Sequence, residues 1–139
     1  MARAKRTQGM NWIRPEKRLA LYLRDGLACC YCGASVEQGI RLTLDHLRPY
    51  ANGGTNNATN LVTCCSTCNS SRGKRSWREF AQAAANYLDH GITGKEIVEH
   101  IEKTRRHQLG TAIARQLLAR RGNFSSVLQN IRTSATVGG

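Results

Sequence analysis

No apolar run in this 139-residue chain approaches the roughly 20 residues that span a bilayer. The first 24 residues carry seven basic side chains and no apolar core of the signal-peptide kind, so secretion is not expected. No amphipathic stretch offers the Trp/Phe/Leu face that membrane-surface binding needs. Acid is scarce as well: nine Asp and Glu stand against 21 Lys and Arg, giving a formal net charge of +12. These lacks point to a cytoplasmic protein with no membrane association. Its charge favours a polyanionic partner, with DNA expected and RNA left open. In a reducing cytosol, six cysteines in two short groups read as metal ligands rather than disulfides.

No internal repeat and no long linker divides the chain. Residues 1–14 are basic and without apolar period, which reads as a flexible arm whose end Trp12 and Ile13 anchor; contact with DNA and no role at all stand equally for it. From Pro15 the pattern is helical, with Leu19, Tyr22 and Leu23 on one face and Gly26 as a stop. Arg41–His46 alternates as a strand does, Leu42 and Leu44 to one face and Thr43 and Asp45 to the other. The loop 47–59, rich in Asn, Gly and Thr, is of a length that compact domains keep for function. Residues 60–64 form a second short strand. One helix is predicted from about Asn69 to about Asp89, with Trp77, Phe80, Ala81, Ala84, Tyr87 and Leu88 recurring at helical spacing. A capping-box pattern, Thr93-x-x-Glu96, opens a second helical block. Its apolar face runs through Ile97, Ile101, Leu109, Ile113 and Leu117, with a break near Gly110. The division expected is an arm (1–14), a core domain (15–90) and a C-terminal helical extension packed on or beside it (91–139).

Two Cys-x-x-Cys pairs, Cys29/Cys32 and Cys65/Cys68, bracket the strand–loop–strand segment. Each pair makes a turn presenting two thiolates, and four thiolates close a tetrahedral zinc site with no open position, a structural site. Cys30 and Cys64 offer competing pairings, but the two-residue spacing matches both knuckles only with the first set. A redox role for either pair is the lesser reading.

Between the knuckles lies a second set of polar groups. Hydrolysis of a phosphodiester needs an attacking water, a base to deprotonate it and a cation to take up charge. A neutral His suits the base, and a carboxylate with an amide oxygen suits a hard divalent cation. His46, Asp45 and Asn69 supply these groups. Successive strand residues point opposite ways, so Asp45 and His46 reach one phosphate only if the strand bends at its end. Taken singly, each is an ordinary loop histidine, turn aspartate or helix-capping asparagine. His90, His100 and His107 have no such company and read as solvated.

The stretches RDGLACCYCG (24–33), LTLDHLRPYANGGTNNATNLVTCC (42–65) and CSTCNSSRGK (65–74), with the spacing His46-x13-Asn60-x8-Asn69, resemble the HNH nuclease family. The resemblance implies an α+β fold: a small ββα-metal core with a structural zinc held by four cysteines, flanked by an N-terminal helix and C-terminal helices. It implies His46 as general base, Asp45 and Asn69 as ligands of the catalytic metal, and Asn60 as the residue that hydrogen-bonds across the loop. Asn at the third motif position favours Mg2+ or Mn2+ over Zn2+ there. The reaction implied is attack by water leaving a 5′-phosphate and a 3′-hydroxyl, by a monomer or weak homodimer that nicks DNA. Arg72, Lys74, Arg75 and Arg78, placed after Asn69 on the same helix, are expected to hold the DNA backbone, with Arg48 near the scissile phosphate. Arg105, Arg106, Arg115, Arg120 and Arg121 either extend this footprint or serve solubility. The alternative from another class is a zinc-ribbon nucleic-acid-binding module without catalysis.

The cysteine assignment generates a test. Cys29→Ser and Cys65→Ser are expected to lose zinc and unfold the domain, while Cys30→Ser and Cys64→Ser keep one zinc per chain. Metal analysis of the four variants decides it, and zinc retained by Cys65→Ser would overturn the pairing.

Overall fold

A computed structural model describes residues 12–121, the side chain of Arg121 excepted. The N-terminal arm before Trp12 and the chain end after Arg121 lie outside the described residues. Five helices and two strands follow in the order α1 (Pro15–Arg24), β1 (Leu42–His46), β2 (Leu61–Cys65), α2 (Ser66–Arg72), α3 (Trp77–Leu88), α4 (Gly94–Thr104) and α5 (Thr111–Arg121). Single 3-10 turns at Val36–Gln38, Tyr50–Asn52 and Ala58–Asn60 shape the connections. The architecture is α+β: helices around one small antiparallel sheet.

Strands β1 and β2 pair from Leu42 opposite Cys65 to His46 opposite Leu61. Every residue of β2 is buried, because the strand is covered on both faces. Leu61 joins Leu21 and Tyr22 of α1 and Leu44 of β1 in one apolar cluster. Val62 and Cys64 join Tyr31, Trp77, Phe80, Ile97 and Ile101 in the larger one. Asp45 opposes Val62, so it points into the larger core, away from Leu44, as the alternation predicted.

A buried ion pair ties α1 to the sheet. The Arg24 and Asp25 side chains are each 1% exposed and lie 2.6 Å apart. Arg24 also donates to the carbonyls of Ala58 and Leu61, while Asp25 accepts the Thr63 amide at 2.8 Å. Every charge carried into the interior here meets fixed partners, as burial demands.

One helical prediction is corrected. The single helix expected from Asn69 to Asp89 is two, separated at Gly73–Ser76. Gly73 adopts φ 57°, ψ −130°, a conformation open to glycine, and Ser76 caps a new helix through a reciprocal bond with Glu79. The block after Thr93 forms two helices, α4 and α5, parted ahead of Thr111 in keeping with the break expected near Gly110. Thr93 and Glu96 do form the capping box of α4. In α5 the buried contact is Ala114, at 0% exposure against Leu19 and Ala20 of α1, while Ile113 is 59% exposed. The small Ala114 side chain allows the close approach that the Ile113 register would block. Tyr87, expected on the apolar face of α3, is 88% exposed. Ile97 and Ile101 of α4 share the cluster of Trp77 and Phe80, so the helix lies directly on the core. His90, His100 and His107 are exposed.

Truncating Asp25 would strand Arg24 among apolar groups. Asp25→Ala is expected to destabilise the fold by roughly 3–5 kcal/mol, read as a large fall in melting temperature by circular dichroism. A melting curve matching wild type would show that the pair carries no structural role.

Candidate active site and metal centre

The two knuckles are built alike. The Cys32 amide donates to Cys29 Sγ at 3.4 Å, and the Cys68 amide donates to Cys65 Sγ at 3.4 Å. Cys65 is also the N-cap of α2, so the second strand passes directly through a knuckle into the helix. The four ligand sulfurs lie within 4.8 Å of one another, with Cys32 and Cys65 Sγ 3.8 Å apart. Tetrahedral Zn–S bonds of ~2.3 Å would set sulfurs about 3.8 Å apart. The cluster is therefore compatible with a structural zinc. Among the described residues it is the one group of three or more His, Cys, Asp or Glu side chains close enough to share an ion.

Proton affinities differ within the cluster. The hydrogen bond from Cys68 pulls the Cys29 thiol down to about 5, while burial pushes Cys32 up to about 11. Four crowded sulfurs cannot all ionise without a cation, so the first thiolate raises its neighbours. Cys30 and Cys64, outside the cluster, are held as thiols chiefly by burial.

Asp45, His46 and Asn69 line one cleft of about 240 Å3, together with Leu44, Pro49, Tyr50, Arg72 and Gly73. The cleft lies along β1 at its His46 end, where groups from both faces of the strand are reached. Asn69, one residue after the last knuckle cysteine, is half-buried. Among the described residues, no hydrogen bond occupies its carboxamide.

Asp45 is held far more tightly than the sequence suggested. Its two carboxylate oxygens accept from Arg72 Nη1 at 2.8 and 2.7 Å, and Oδ2 also accepts from the Tyr31 hydroxyl at 2.7 Å. Burial, then the Asp45 charge, pushes the Tyr31 phenol upward, so it stays a donor. Arg72 further donates to the carbonyls of His46, Leu47 and Arg75, each at 2.9 Å.

This overturns the expectation that Arg72 holds DNA. Its residue exposure is 4%, and its guanidinium fastens the end of α2 to the end of β1. A buried cation saturated by a carboxylate and three carbonyls has no capacity for an external phosphate. The others are exposed but not alike. Lys74 and Arg48 reach solvent, Arg75 lies over the Phe80 ring, and Arg78 stacks 4.4 Å from the Trp77 centroid and pairs with Glu102. They also do not share one helix with Asn69, since the chain breaks at Gly73.

The loop between the strands is closed by Asn60. Its Oδ1 accepts from the Arg48 amide at 2.9 Å, and its Nδ2 donates to the carbonyls of Arg48 and Thr55 at 3.1 and 2.8 Å. Gly54 threads against this closure: a Cβ there would stand 1.8 Å from the Arg48 carbonyl oxygen. His46 is half-buried, its Nε2 2.8 Å from Asn56 Oδ1 and its ring 4.9 Å from that of Trp12.

Tyr31, Asn56 and Trp12 were not singled out by sequence as site residues. Tyr31 sits between two knuckle cysteines and resembles a packing residue. Asn56 is one of several loop asparagines with nothing to distinguish it. Trp12 was read only as an anchor. Pairing across the sheet and loop closure bring them to the site.

A two-stranded ββα unit whose strand runs through a cysteine knuckle into the helix, with an Asp-His pair at the sheet's end, defines a zinc-knuckle nuclease-type core. Residues 29–84 match the family described as HNH endonuclease. The chain is also similar to the CRISPR-associated endonuclease Cas9 of Corynebacterium diphtheriae, at 38% identity over 77 residues, covering 55% of this chain. It spans 7% of that relative's length. No solved structure matches it significantly. The likeness to HNH endonucleases rests on this segment. No described helix is long and apolar enough to cross a membrane.

Removing Arg72 would leave the Asp45 carboxylate buried without its cation. Arg72→Ala is expected to lose roughly 3–5 kcal/mol of stability, against about 0.5 kcal/mol or less for the exposed Lys74→Ala. Urea denaturation compares the two, and equal midpoints would refute the structural role given to Arg72.

Proposed function

We propose that this chain is a metal-dependent DNA endonuclease that hydrolyses phosphodiester bonds and nicks as a monomer. The observation that carries the reading is the shared cleft: His46, Asp45 and Asn69 line it together, within the segment that matches HNH endonucleases.

In this reading His46 is the general base, taking a proton from the water that attacks phosphorus in line. Asp45 and Asn69 would hold one Mg2+ or Mn2+. Their hard oxygen donors, on residues that line one cleft, suit such an ion. When bound, that ion would offset charge on the phosphate and the departing 3′ oxygen. Arg72 keeps the Asp45 carboxylate paired and aimed. Asn60 keeps the loop closed behind His46, so that the imidazole meets the phosphate without rearrangement. The four cysteines hold a structural zinc. Arg48, Lys74, Arg75 and Arg78 grip the DNA backbone without reading bases, with Arg78 first releasing Glu102. Residues 15–90 constitute the nuclease domain and the C-terminal helices extend its basic surface.

One observation favours the second reading, a zinc-ribbon module that binds nucleic acid without cutting it. The Asp45 carboxylate already accepts three hydrogen bonds from within the protein, as a purely structural aspartate would.

Supercoiled plasmid incubated with Mg2+ or Mn2+ separates the two. Wild type is expected to give relaxed circles, and His46→Ala to lose at least about 100-fold in rate. Binding without cleavage would establish the second reading, and equal cleavage by both proteins would remove His46 from the mechanism.

A further inference from the structure

The imidazole of His46 has two nitrogens, and a general base needs one of them free. Its Nε2 lies 2.8 Å from the carboxamide oxygen of Asn56. A carbonyl oxygen only accepts, so the nitrogen facing it must carry the proton. Among the described residues, no hydrogen bond engages Nδ1.

Asn56 is itself firmly placed. Its backbone carbonyl accepts from Lys17 of α1 at 2.7 Å, and the preceding carbonyl, that of Thr55, accepts from Asn60 at 2.8 Å. The loop that carries Asn56 is thus pinned on one side by the first helix and on the other by the asparagine that closes it. The His46 ring has little freedom to turn away, with the Trp12 ring at 4.9 Å and the Tyr50 ring at 5.9 Å. The backbone carbonyl of His46 is fixed by Arg72.

We propose that Asn56 is the positioning residue of His46: its carboxamide oxygen holds Nε2 as N–H and leaves Nδ1 as the atom that takes the proton from water. The role rests on His46 being the base of the reaction proposed above. It gives the loop 47–59 a second task besides closure, which is to fix the tautomer. Among the described residues, Asp45 stands beside His46 in the chain, Arg72 binds its carbonyl and Lys17 binds the carbonyl of Asn56. None of them bonds the imidazole itself, so the ring's proton placement falls to Asn56.

The test uses the full chain and reads the tautomer directly. Two-bond 1H–15N spectra of the wild type at high pH are expected to show His46 with Nε2 protonated and Nδ1 bare. In Asn56→Ala the two forms should mix, and the plasmid-nicking rate should fall about tenfold or more, within the range general-base catalysis supplies. Asn56→Asp keeps an oxygen acceptor at the same place and should keep the Nε2–H form. A role in folding alone would lower the melting temperature without mixing the two tautomers. An Nδ1–H tautomer in wild type would overturn the proposal, as would an unchanged tautomer in Asn56→Ala. If the wild type cut no DNA but its Asn56-dependent tautomer were present, the endonuclease reading would fail while the pairing of Asn56 with His46 stood.

Discussion

Four sulfur atoms within 4.8 Å of one another set the geometry on which the remainder of this fold depends. They join the turn ahead of β1 to the junction of β2 and α2, Cys32 and Cys65 being 33 residues apart in sequence. A two-stranded sheet is marginal alone, and this one has five residues in each strand. Fixing the Leu42–Cys65 end of the pair through one cluster, and covering both faces of β2 with helices, makes the small sheet a rigid base for a site. Loop closure of this length is the kind of constraint from which a metal clip gains most. A cation in the cluster would also relieve the repulsion that otherwise keeps crowded thiolates from forming together.

One wall of the cleft is then placed within a few residues of that cluster. Tyr31 lies inside the first knuckle and donates to Asp45; Asn69 and Arg72 follow the second knuckle on the first helical turns. The Asp45–Arg72–Tyr31 network therefore connects both knuckles to the end of β1. Its partners are buried, so the network acts as a rigid strut rather than a flexible surface pair. The charge balance matters too. A lone carboxylate at this depth would be costly, and Arg72 supplies the opposite charge that burial requires. The basic side chains left on the outside are fewer than composition implied, since Arg24 and Arg72 are consumed internally and Arg78 is paired with Glu102.

The other half of the cleft is organised by asparagines. Asn60 closes the inter-strand loop with three hydrogen bonds, Gly54 lets the backbone pass where a side chain would collide, and Asn56 meets His46. A carboxamide can donate and accept at once, so it satisfies backbone groups in an irregular loop without bringing in charge. That is why a loop so rich in Asn can be ordered at all.

Much of this was legible in the residues. The Cys-x-x-Cys spacing selected the four ligand cysteines over Cys30 and Cys64, and alternation placed Leu44 and Asp45 on opposite faces of β1. Caps named the start of α4, and the motif spacing pointed to His46, Asn60 and Asn69 together. These are local properties, carried by neighbours in the chain and by the fixed periods of helix and strand. What the tertiary structure alone decided was partnership. Arg72 looked like a DNA contact because its charge and helical position were visible while its burial beneath the site was not. Gly73 ended a helix that periodicity continued, and Ala114 replaced Ile113 at the α1 contact because helix separation, not hydrophobicity, chose the smaller residue. Asn56 reached His46, and Tyr31 reached Asp45, only when folding of the loop and knuckle brought these groups to 2.8 and 2.7 Å. Sequence determines which chemistry a chain carries and where its elements begin; which charge is spent inside and which faces a substrate depends on distances that only folding sets.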